Sequence, residues 1–110
     1  MTTFDRIPLK LNESQADPKN GETLHQSQPF DIEPIGEVCL RFFLHIDSAP
    51  DGTLITLNRW QVGIFQIGQP FIADVTDYVT LEDNVLLLKV NQSGSFGAIW
   101  LECIPCEELI

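Results

Sequence analysis

The chain has 110 residues, 44% hydrophobic and 20% charged, with 16 acidic against 6 basic side chains and a net charge of -10. That length makes one domain with room for a core that needs neither disulfide nor metal, and the composition excludes disorder throughout. The acidic excess argues against nucleic acid and anionic membrane as partners, since such affinity comes from Lys and Arg displacing counterions. No apolar run approaches the roughly 20 residues of a bilayer span.

"MTTFDRIPLK" has neither the basic start nor the apolar stretch of a secretory leader. Three cysteines are an odd count that suits a reducing compartment. Both features give a cytoplasmic expectation. The first third is punctuated by Pro18, Pro29, Pro34 and Asn20-Gly21, so residues 1–35 read as loop-rich with one or two edge strands, the first over Arg6 to Leu11.

From Gly36 the texture changes. "EVCLRFFLHI" places Val38, Leu40, Phe42, Leu44 and Ile46 on one face and Cys39, Arg41, Phe43 and His45 on the other, the period of a strand. "SAPDG" follows as a turn. Further strands are predicted over 53–58, 61–67, 70–75, 84–90 and 97–104, with a single helical turn after Val75 where Thr76 or Asp77 caps. Strands of this length without an amphipathic helix give an all-β antiparallel sandwich, and nothing divides residues 1–110 into more than one domain.

"LITLNRWQVG" raises a local question. Two strands meet at Asn58, where a two-residue turn needs φ > 0 at both positions and favours Asn-Gly. Here Arg59 and Trp60 follow. The expectation is a four-residue turn that relieves Arg59, with Trp60 near an exposed tip. Trp and Arg are also the residues in which binding energy concentrates, which makes the pair a candidate anchor.

The series "VG" (Val62, Gly63), "PF" (Pro70, Phe71), "DVTDYV" (Asp74 to Val79), "DNVLLLKV" (Asp83 to Val90) and "GAIWLE" (Gly97 to Glu102) follows a long apolar strand ending near Asp47 and a short one ending in Asn58. In that order it resembles the N-terminal sugar-binding domain of family 2 glycoside hydrolases. The resemblance covers about the last two-thirds of the chain and implies a galactose-binding-like jelly-roll sandwich of about eight strands. It implies no catalysis, because the family's bond cleavage belongs to paired carboxylates on a separate barrel domain. Family members that extend an acidic residue toward the sugar do so from the loop before the last strand. Here that loop is "NQSGSF", with no carboxylate between Asn91 and Trp100. The family's hairpin commonly carries Asn-Gly, so Arg59 stands at the glycine position.

Arg41, Phe43 and His45 share the outward register of one strand, and Trp100 and Glu102 share a register in the last. If the two strands present one surface, its aromatic faces and charged groups suit a peptide or sugar. The competing reading buries Phe43 and Trp100 beneath other parts of the chain. "CIPC" lacks the strand-then-helix setting of a redox pair, and Cys39, His25 and His45 are too scattered to complete a zinc site. Cys103 therefore reads as core and Cys106 as tail. Asp47 and Asp51 are too few for calcium, so no metal or cofactor is expected. The functional expectation is a non-catalytic, stand-alone module acting through a protein-interaction or self-association surface. The alternative is a carbohydrate-binding module with aromatic platforms.

Overall fold

The computed structural model describes residues 5–11, 15–17, 22–32, 40–91 and 95–105. Nine strands run through them: β1 (Asp5–Pro8), β2 (Gln15–Asp17), β3 (Glu22–Gln26), β4 (Leu40–Ile46), β5 (Leu54–Leu57), β6 (Trp60–Ile64), β7 (Phe71–Asp74), β8 (Leu86–Val90) and β9 (Ile99–Pro105). They form two antiparallel sheets, ordered β1-β9-β4-β7 and β2-β3-β8-β5-β6. The result is the expected jelly-roll sandwich. No helix occurs among the described residues, so none is long and apolar enough to cross a membrane.

Alternation places the core. Phe42, Leu44 and Ile46 of β4 and Ile99, Leu101 and Cys103 of β9 face inward from one sheet. Ile55 and Leu57 of β5 and Leu86 and Leu88 of β8 face them from the other, in one buried cluster. Each such side chain contributes about 1.5–3 kcal/mol on burial. Cys103 is buried as expected, while Cys39 and Cys106 lie outside the described residues.

The first third departs from the loop-rich expectation. β1 and β2 are edge strands, but β3 is interior to its sheet, paired to β2 on one side and β8 on the other. Its inward positions are Thr23 and His25, with Ser27 continuing them just past its end, opposite Val90, Leu88 and the Leu86 backbone. Polar residues on the core side hide the strand's period from a hydrophobicity reading. They are accommodated individually: Ser27 Oγ accepts the Leu86 N–H at 2.9 Å, and His25 meets Phe96 edge-on at 4.7 Å. Burial pushes the His25 pKa down.

The expected helical turn is a hydrogen-bonded turn over Val75–Val79, closed by Tyr78 N–H and Val79 N–H on the Val75 carbonyl. It is capped from Asp74, whose Oδ1 accepts the Thr76 N–H and hydroxyl at 3.0 and 2.6 Å. Thr76 Oγ1 in turn accepts the Phe42 N–H at 2.9 Å, fastening the end of β7 to β4.

Two glycines of the sequence series are set by close approach. A Cβ on Gly97 would meet Ser48 and Asp47 where β9 enters its sheet. A Cβ on Gly63 would stand 2.5 and 2.8 Å from ring carbons of Phe71, where the edge strands β6 and β7 come together. Gly63→Ala is expected to lower stability by about 1–3 kcal/mol through overpacking. A shifted urea midpoint at unchanged slope checks it, and an unchanged midpoint refutes the contact.

Candidate functional site

The outward residues of the four-stranded sheet form one surface, and their register is explicit. Phe43 lies between Asp74 on β7 and Glu102 on β9, and His45 lies between Ile72 and Trp100. Arg6 and Pro8 of β1 stand opposite Glu102 and Trp100, while Arg41 pairs with Ile104. All five residues predicted for a shared surface, Arg41, Phe43, His45, Trp100 and Glu102, are therefore brought together. Phe43 and Trp100 are half-buried rather than covered. β1 extends the sheet at its edge and does not lie over the face.

Two side-chain contacts tie the polar groups of this face together. Arg41 Nη2 is 3.2 Å from Asp74 Oδ2, and Glu102 Oε1 accepts a hydrogen bond from His45 Nε2 at 2.9 Å. The Thr76 hydroxyl, then its backbone N–H and the Arg41 guanidinium, hold the Asp74 carboxyl below the ordinary carboxylate range against the opposing effect of desolvation. The Trp100 ring stacks on His45 at 4.7 Å and 8° and has the Arg6 guanidinium 5.6 Å from its centroid. It is not a bare platform for a sugar ring. Its buried Nε1 has no hydrogen-bond partner among the described residues.

At the hairpin the structure corrects the expected four-residue turn. Leu57 pairs with Trp60, so only Asn58 and Arg59 form the turn, and both have positive φ, 50° and 75°. Arg59 thus holds a left-handed backbone that costs a side-chain-bearing residue roughly 1–2 kcal/mol. The turn stays tight because the Asn58 side chain is committed. Its Oδ1 accepts the Val85 N–H at 2.8 Å, and its Nδ2 donates to the Tyr78 carbonyl and to Asn84 Oδ1, both at 2.8 Å. Arg59 and Trp60 do not act as one unit. Trp60 is 61% exposed and tilts against Tyr78 at 6.0 Å, whereas Arg59 lines a recess on the outside of the five-stranded sheet.

That recess has a volume of about 600 Å³, within the usual range for small-ligand sites. Gln26, Leu87 and Thr56 form a row across β3, β8 and β5 and make its floor with Val85, while Asn58, Arg59, Thr80 and Asp83 form its end. Sequence reading missed every member except Arg59. The available signal was Asp83-Asn84 between two strands, since Asp tolerates the left-handed region, and Asp83 has φ 57°.

Other candidates have structural partners. Asp51 Oδ1 accepts the Ile67 N–H at 3.0 Å, and no group of three or more His, Cys, Asp or Glu gathers among the described residues. Part of the loop before β9, residues 92–94, lies outside the described residues, as do Glu107 and Glu108.

No family model matches this chain, and no curated protein matches it in sequence. Its structure is similar to that of an FMN-binding beta-glucuronidase from Facaelibacterium prausnitzii L2-6, with TM-score 0.68 and 16% identity. The match covers 93% of this chain and spans 23% of that one. The likeness is one of fold, and it agrees with the fold that the sequence resemblance implies.

Two outcomes follow from the geometry. Asn84→Ala is expected to lower stability by about 3 kcal/mol, because it removes several hydrogen bonds of one fully buried side chain at once. In a double-mutant cycle with Asn58→Ala the coupling should reach about 1 kcal/mol, and additive losses would refute the shared network. For Asp74, a folded-state pKa below the unfolded one gives stability that is present above about pH 4 and is lost as pH falls through the lower folded value. The stability gap between wild type and Asp74→Asn should therefore narrow as the pH falls below about 4 in urea titrations, and a constant gap refutes the assignment.

Proposed function

We propose that this chain is a non-catalytic module that docks a protein partner on the outer face of its four-stranded sheet. One observation carries the reading. An antiparallel sheet facing water ordinarily turns polar residues outward, whereas this face presents Phe43, Trp100, Ile104 and a 59% exposed Ile72. Its polar groups already hold one another, Arg41 with Asp74 and Glu102 with His45, so docking there leaves fewer polar groups without a partner. Aromatic and arginine enrichment is the composition of interface centres.

The carboxylates of the face are held by Arg41, Thr76 and His45, which supports binding over acid-base chemistry. The beta-glucuronidase neighbour carries the same fold as a minor part of a longer chain, which supports a modular role. The partner is a different protein and not a second copy, because two chains of net charge -10 repel.

The test uses Ile72→Asp and Arg41→Glu, exposed positions where folding tolerates change. A partner recovered from the source cells and purified should lose at least tenfold in affinity for both variants, with circular dichroism unchanged, a tenfold loss being about 1.4 kcal/mol. Unchanged affinity overturns the reading. A dimer in sedimentation equilibrium that Ile72→Asp dissociates would reassign the face to a second copy.

A further inference from the structure

We propose that the recess on the opposite sheet is a second binding site, for a small zwitterion: an α-amino acid or dipeptide with apolar side chains. The inference is independent of the docking face and uses none of its residues.

Its first support is the charge on the rim. Among the residues lining the recess Arg59 is the one cation and Asp83 the one anion. Opposite charges that line one recess are able to pair with each other, yet the ion pairs among the described residues are Arg41 with Asp74 and His45 with Glu102. Each of the two is fixed through its backbone instead. Arg59 has φ 75° in the turn clamped by the Asn58 side chain, and Asp83 has φ 57° with its N–H held by Asp31 Oδ1 at 3.0 Å. They stand as two separate, opposite charges that a ligand carrying both signs can bridge.

The second support is backbone strain. Among the described residues three non-glycine residues have positive φ, Asn58, Arg59 and Asp83, and all three line this one recess. Asn and Asp tolerate that region, whereas Arg does not. Glycine would fill the position of Arg59 without strain, and no hydrogen bond or ion pair with another described residue engages the guanidinium to offset it. Strain of this kind clusters at ligand clamps. The register between β5 and β6 also shifts between Ile55 and Thr56 beside the same recess, and bulges are frequent next to sites.

Chemistry selects the ligand class. A guanidinium fork matches a carboxylate in two parallel bonds, and a carboxylate accepts from an ammonium. An amino acid or dipeptide offers both groups at once, and the half-buried Val85 and Leu87 of the floor take its apolar side chain. Gln26 and Thr56, whose side chains make no hydrogen bond with other described residues, lie in the same floor row and suit a peptide group. A plain anion would meet Asp83 as well as the net charge of the chain, and a plain cation would meet Arg59. A neutral ligand would desolvate both charges without supplying a counter-charge.

The experiment is chemical-shift titration of the isotopically labelled chain at pH 7 with L-leucine, L-phenylalanine and leucyl-leucine. N-acetyl-L-leucine and L-leucine amide serve as forms lacking one charge, and methyl β-D-galactoside as a neutral comparison. At least one zwitterion should give saturable shifts at Arg59, Thr80, Asp83 and Leu87, leaving Phe43 and Trp100 unmoved, and both singly charged forms should bind at least tenfold more weakly. Tighter binding of a free amino acid or of the dipeptide identifies the source, and either supports the site. Arg59→Gly should raise the Tm by relieving the backbone, yet weaken the zwitterion at least tenfold. Asp83→Asn, which keeps a residue tolerant of positive φ, should weaken it similarly. The inference is overturned if no zwitterion gives saturable shifts at about 10 mM, ten times the concentration that half-fills a 1 mM site. It is also overturned if a singly charged form or the galactoside binds as tightly, or if either substitution leaves zwitterion affinity unchanged. None of these outcomes touches Ile72 or Arg41, so failure here is separate from failure of the docking face.

Discussion

The carboxamide of Asn84 holds one end of this sandwich together. Fully buried, it donates to the Phe30 carbonyl at 3.0 Å and the Thr80 carbonyl at 2.7 Å, and accepts from Thr80 N–H and Asn58 Nδ2, each at 2.8 Å. One side chain thereby joins the segment after β3, the β7–β8 loop and the β5–β6 turn. The buried carboxamide has all its donors and acceptors used, so the network is worth more complete than as separate bonds. The tight turn at Asn58, the strained backbone of Arg59 and the far end of the recess all depend on it.

The two outer faces of the sandwich divide the chemistry between them. The chain has three arginines in an excess of acid. Arg6 and Arg41 stand on the four-stranded face, stacked or paired, while Arg59 lines the recess and makes no ion pair among the described residues. On the first face Arg41 and Asp74, and His45 and Glu102, hold one another, and Trp100 is stacked on His45. On the second, polar groups are open and the backbone beneath them is constrained.

Legibility in the sequence followed the simplicity of the physical signal. β4, β8 and β9 alternate apolar residues that all point to one core, and Leu44, Leu88 and Leu101 could be placed from period alone. That same alternation put Arg41, Phe43 and His45 on one face, and Trp100 with Glu102 on another. β3 escaped because Thr23 and His25 fill its inward positions, with Ser27 continuing them just past its end, and they are tolerated through partners 59 or more residues away, Phe96 and β8. The turn at Arg59 was misread for a related reason. Local preference disfavours Arg with positive φ, but bonds from Asn58 to Tyr78, Asn84 and Val85 outweigh it.

What the sequence by itself determined is the class of structure: strand period and turn residues lead to an all-β antiparallel sandwich. These are properties of a segment and its neighbours along the chain. Which faces met which, and where polar side chains converged, was decided only by tertiary structure. The pairing of β4 with β9 brought two separately readable registers onto one surface. The recess drew Gln26, Thr56, Arg59, Thr80 and Asp83 from four segments, joined by no pattern in the chain. Pairing and buried hydrogen bonds act between residues distant in sequence, and a side chain's local preferences carry no record of the partner it will meet.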